Sequence, residues 1–228
     1  MFVLAVRREL TCALQYAIFL SFVKDFMSET RETARIEAFS DGVFAIAITL
    51  LILEIKVPHH AETPAVLWKE LWKLWPSYFS FIFSFGTILI AWVNHHLVFN
   101  HINKKSNIFI YVNGFFLLVV SFIPFPTALL AEYIMADSHS SAITFFCGYS
   151  VLSNISWILL FYAIRNPVNL LTPKGEKLIA ERFDRVKYFG LSIYTATFIL
   201  SFWFPYTALI INISLWFLWI VTSMAVKE

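Results

Sequence analysis

Charge is what this chain has least of. Asp, Glu, Lys and Arg together make up 14% of its 228 residues, against about a quarter in a soluble domain whose surface must face water. Cysteine is almost absent: Cys12 and Cys147 both lie in apolar surroundings and are too few for a disulfide framework. There is no Gly/Ser linker, low-complexity tract or evident internal repeat, and no GxxxG packing motif in any apolar run. A formal net charge of +2, with no basic stripe beside stacking aromatics, excludes a nucleic-acid binder. What remains is apolar: 59% of residues are hydrophobic, including 25 Phe and 8 Trp, and mean hydropathy is +0.72. A soluble globule and a disordered tail are both excluded, and the solvent for most of this chain is lipid.

A membrane helix needs about 20 predominantly apolar residues. Six runs qualify and predict an all-α, polytopic membrane protein: Ile36–Val57, Ser77–Val98, Asn107–Leu130, Ala142–Ile164, Tyr188–Phe204 and Tyr206–Val226. Lys and Arg orient them. With the segment before Ile36 in the cytoplasm, the outer side keeps only Lys56, Lys69 and Lys73, while Arg31, Arg35, Lys104, Lys105, Arg165 and the 174–187 cluster lie inside. An even number of spans then places both termini in the cytoplasm. Trp68, Trp72, Trp75, Tyr133 and Tyr206 fall near the outer interface, where amphipathic rings settle. Residues 30–228 form one bundle on this reading, and 1–29 stand apart as an N-terminal extension. The apolar run Ala13–Val23 is too short to span and no small-x-small cleavage site follows it. It reads either as sequence upstream of a native start at Met27 or as a short interfacial helix.

The first span differs from the others. Asp41 sits about a turn and a half inside it, where an ionisable group costs several kcal/mol unless paired, so it marks function or a polar lock. At 100° per residue, Ile46, Thr49, Leu50 and Leu53 share a 100° arc, with Arg35 and Phe39 on the same face and Ser40 and Asp41 opposite. An aliphatic stripe of this kind is also what ordinary packing produces. Trp92, Asn94, His95 and His96 close the second span, and Asn107, Tyr111 and Asn113 open the third. Adjacent histidines point about 100° apart, so His95 and His96 cannot share one ion as i, i+4 ligands do, and no metal site is expected. Trp92, Asn94 or His95 can instead satisfy Ser40 and Asp41. His59 and His60 follow Pro58 in an outer loop and read as solvated. No activated nucleophile, metal-spaced ligand set or carboxylate dyad suggests an enzyme. A secondary transporter or proton-coupled carrier would call for the paired Gly/Pro-broken helices that mark midplane binding sites, and these are missing.

Arg35-x-x-x-Phe39-Ser40-Asp41 at the entry to the first of six spans resembles the bacterial branch of the lysosomal and endosomal potassium channel family. The likeness continues through Gly42 to Pro58 and through Trp92-Val93-Asn94-His95-His96. It implies a homotetramer in the cell membrane, passing potassium ions through a central pore lined by four copies of the first span, with no cofactor. On this resemblance Ile46, Leu50 and Leu53 form the constriction and Thr49 the selecting hydroxyl ring. Arg35, Phe39, Ser40 and Asp41 form a structural network with Trp92, Asn94 and His95. The TVGYG filter of ordinary potassium channels is absent from the family and from this chain.

Overall fold

The computed structural model describes residues 15–16, 19–21, 33–59, 62–166, 168–182 and 184–224. The 1–29 extension, with the run 13–23 and Met27, therefore lies outside the described residues apart from five positions. The described residues form α1 (33–50), α2 (Pro64–Lys73), α3 (Trp75–Phe99), α4 (Asn107–Ser121), α5 (Pro124–Tyr133), α6 (His139–Arg165), α7 (Pro173–Arg182), α8 (Asp184–Leu200) and α9 (Pro205–Met224).

Among the described residues, four apolar helical stretches are long enough to cross a membrane: Thr33–Glu54, Trp75–Phe99, Asn107–Tyr133 and His139–Arg165. The two remaining expected spans are shorter apolar helices, Tyr188–Leu200 and Pro205–Val221, separated by a turn at Ser201–Trp203. Pro205 opens α9 at a position where its missing N–H costs no helical bond.

Two of the expected spans differ in detail. The first does not run as a regular helix to Val57; it tightens into a 3-10 turn over Leu51–Glu54 and leaves helical geometry at Ile55. The third is two helices. Pro124 and Pro126 supply no amide hydrogens, so α4 closes with the Phe122 amide on the Leu118 and Val119 carbonyls, and α5 restarts at Pro124. Hydropathy averages over such a break, because most residues around it are apolar.

Helix α6 is the central pillar, packed against α4, α5, α8 and α9. One core gathers Phe44, Leu51, Ile88, Phe109, Phe116 and Leu160 from α1 and the 3-10 turn that follows it, α3, α4 and α6; a second gathers Phe83, Ile143, Phe146 and Leu209. The segment after α3 is tied to the segment after α6 by the Ile102–Leu171 bridge and by the Thr172 amide donating to the His101 carbonyl at 2.8 Å. Gly175 is needed there, since a Cβ on it would lie 2.5 Å from His101 Cβ. Around the bundle, Ile82, Leu118, Ile210 and Val221 are all more than 60% exposed. An apolar belt of that extent fits hydrocarbon and not water.

Candidate functional site

Helix α1 is two-faced in three dimensions as well as in sequence. Ser40, Phe44, Ala47 and Leu51 are buried against the bundle. Phe39, Ile46, Leu50 and Leu53 are each more than half exposed, and Arg35 and Thr49 lie on the same uncovered side. Leu53 falls in the 3-10 turn, where side chains three apart eclipse, so it stands over Leu50. The Thr49 hydroxyl donates to the Ala45 carbonyl at 2.9 Å and the Ile46 carbonyl at 3.0 Å. With its hydrogen turned back onto the helix, the oxygen presents lone pairs outward.

The inward face carries a chain of polar contacts. Trp92 Nε1 donates to Asp41 Oδ1 at 2.8 Å. Ser40 donates to the Ile36 carbonyl at 2.9 Å and accepts from Asn113 Nδ2 at 3.0 Å. Asn113 Oδ1 meets His95 Nε2 at 2.9 Å. Because an amide oxygen only accepts, His95 carries its proton on Nε2. The imidazole is 1% exposed and stacks on Phe99 and Phe116, with Phe44 edge-on. Three helices are thus joined by buried hydrogen bonds, each needed because an unpaired polar group at this depth costs about 1–3 kcal/mol.

The sequence-derived set is only partly gathered. Ser40, Asp41, Trp92 and His95 come together. Asn94 lies about 200° around α3 from Trp92; its amide donates to the Ile90 carbonyl, and it lines a cavity of about 520 Å³ between α3, α6 and α9. Arg35 and Phe39 stay on the open face, and Arg35 makes no hydrogen bond or ion pair with any described residue. The hub of the network is Asn113, which sequence alone marks only as a polar residue at membrane depth. Its neighbour Tyr111 is 81% exposed. Burial on one face of α4 tells them apart, and hydropathy does not. His96 turns away from His95 toward α1, with Nδ1 3.3 Å from Glu37 Oε1 and the ring stacked on Trp92.

The sequence profile described as "Endosomal/lysosomal potassium channel TMEM175" matches residues 35–124, which hold both faces of α1 and the whole brace. A potassium channel of Chamaesiphon minutus is 44% identical over 175 residues, covering 76% of this chain and 86% of that one. The chain belongs to the TMEM175 family. A crystal structure of a lysosomal potassium-selective channel TMEM175 homolog, also from Chamaesiphon minutus, superposes with a TM-score of 0.74 at 39% identity. It covers 86% of this chain and all of that one. A Gallus gallus relative named as an endosomal/lysosomal proton channel TMEM175 is 34% identical over 137 residues, 54% of this chain and 27% of its own length. TMEM175 proteins are multi-pass membrane channels, so this chain is a membrane channel protein and not an enzyme.

Proposed function

We propose that this TMEM175 protein is a passive, potassium-selective channel of the cell membrane. Four copies assemble around a central pore lined by α1, and both termini are cytoplasmic. The observation that carries this reading is the uncovered face of α1. It bears a hydroxyl between aliphatic side chains and an arginine at its inner end, and an arginine facing hydrocarbon would be costly. A shared central axis gives that face a partner. Four-fold rings of Ile46, Leu50 and Leu53 exclude water at small radius and close the pore by dewetting. Four Thr49 oxygens, their lone pairs free, replace part of the hydration shell of a passing ion. With no carboxylate among Ile46, Thr49, Leu50 and Leu53, discrimination rests on the lower dehydration cost of the larger ion, so potassium is preferred modestly over sodium.

The brace then has a mechanical role: Ser40 and Asp41 hold the pore helix at a fixed rotation against α3 and α4. Asp41→Asn weakens a charge-assisted hydrogen bond by about 1–2 kcal/mol. It is expected to lower the yield and melting temperature of the assembled channel while leaving the permeability ratio unchanged. A ratio that collapses in a normally assembled Asp41→Asn channel would place Asp41 in the ion path instead.

The test of the whole reading is a bi-ionic reversal potential on purified protein in planar bilayers, with potassium on one side and sodium on the other. Discrete current steps reversing in favour of potassium are expected. Electrically silent, saturable uptake would point to a carrier. A reversal that follows only a pH gradient would point to the proton conduction named for the animal relatives.

A further inference from the structure

The brace leaves one group of side chains unexplained. Glu37 and Asp41 are i, i+4 on α1, and Trp92 and His96 are i, i+4 on α3, so the two helices present these pairs to each other. A carboxylate oxygen from Glu37, one from Asp41 and a ring nitrogen of His96 all lie within 4.8 Å of one another. The brace uses Trp92 and one oxygen of Asp41, while Glu37 stands outside it with His96 as its neighbour at 3.3 Å. Neither carboxylate has a Lys or Arg partner among the described residues, and His96 is the basic side chain that meets them.

We propose that Glu37, Asp41 and His96 form a binding site for a divalent transition-metal ion of the zinc class, which bridges α1 and α3. In a tetrahedral zinc site with bonds of about 2.0–2.1 Å, neighbouring ligand atoms stand roughly 3.3 Å apart. His96 Nδ1 and Glu37 Oε1 already stand 3.3 Å apart. The Asp41 oxygen lies within 4.8 Å of both, so a side-chain movement of about 1.5 Å or less brings the third ligand to the same spacing. Three protein ligands leave the fourth position to water. Trp92 orients two of the ligands: its Nε1 donates to Asp41 Oδ1 at 2.8 Å, and its indole stacks on the His96 ring at 5.9 Å between centroids. The ion has a way in, since the His96 and Glu37 side chains are 46% and 31% exposed. An imidazole ligand selects against magnesium and calcium, which take oxygen ligands. Bound metal pins the Glu37–Asp41 end of α1 to α3. Whether α1 lines a pore does not enter this inference.

The experiment is calorimetric titration of zinc chloride into the full-length purified protein, with thermal melting on the same samples. Saturable binding of one zinc per chain is expected, along with a rise in melting temperature that tenfold excess magnesium does not reproduce. His96→Ala and Glu37→Gln, both partly exposed positions, are each expected to weaken binding at least tenfold and to abolish the zinc-dependent rise. Their metal-free melting should stay near that of the unmodified protein. Absence of saturable binding would overturn the proposal and leave the cluster a carboxylate–imidazole ion pair. Unchanged affinity in His96→Ala would overturn it by placing the ion elsewhere, and equal competition by magnesium would reduce it to diffuse attraction.

Discussion

In channels carrying Thr49→Val the potassium-to-sodium permeability ratio falls toward one while current persists. The substitution keeps the β-branched shape, so helix geometry and the neighbouring Ile46 and Leu50 stay in place, but it removes the only oxygen among the four central stripe positions. The lost hydrogen bonds run from Thr49 to its own helix backbone, to Ala45 and Ile46, and the folded chain does not depend on them for packing. With Thr49 facing the pore as proposed, the change falls on the ion and not on the fold. Reversal potentials in mixed gradients measure it directly. A ratio unchanged in Thr49→Val would transfer selection to the aliphatic rings, whose small radius would then discriminate by dehydration alone.

Asn113→Leu is expected to have the largest effect on stability, about 2–4 kcal/mol, because it removes the side chain that joins α4 to both α1 and α3. His95, 1% exposed among Phe44, Phe99 and Phe116, would keep a proton on Nε2 with nothing to accept it. Ser40 would retain its bond to the Ile36 carbonyl and lose its donor from Asn113. Thermal or denaturant melting in detergent reads the loss. Two controls isolate the mechanism. Tyr111→Leu on the same helix, at a position 81% exposed, should change stability by no more than about 0.5 kcal/mol. Adding His95→Phe to Asn113→Leu should recover most of the loss, since removing both partners of a buried bond removes the unpaired group. Failure of that rescue would mean that Asn113 matters through shape and not through its hydrogen bonds.

Much of this architecture is legible in the sequence, because bilayer thickness and backbone hydrogen bonding leave few choices. Any run as long and apolar as 142–164 must be a helix in lipid. The rotation of α1 is legible for a related reason. Thr49 and Ser40 are sorted to opposite faces by the 100° step alone, and the fold places them so. What sequence does not show is which polar residues meet. Asn113 lies 73 residues from Ser40 and 18 from His95, and no local pattern encodes either pairing. Asn94 illustrates the converse: it stands beside His95 in sequence, yet it lines a different wall of α3. The partition of 107–133 into α4 and α5 is written in Pro124 and Pro126, a backbone signal that hydropathy averages away. Glu37 and His96 come together only because α1 and α3 pack with Asp41 and Trp92 in register.

The central claim is that the open stripe of α1 faces the ion path, and cysteine accessibility under voltage clamp tests it most directly. Leu53→Cys, at a position 63% exposed at the outer end of the stripe, should be blocked by a charged thiol reagent added from the side opposite the Arg35 end. Ile48→Cys, which packs toward the core, should conduct unaffected by the same reagent. The protein with Cys12→Ser, whose remaining Cys147 is fully buried, supplies the background for both variants and the baseline. Block at position 53 with none at position 48 is the predicted result. Currents that survive modification at 53, or that are blocked equally at both positions, would contradict it and return the stripe to lipid or to packing.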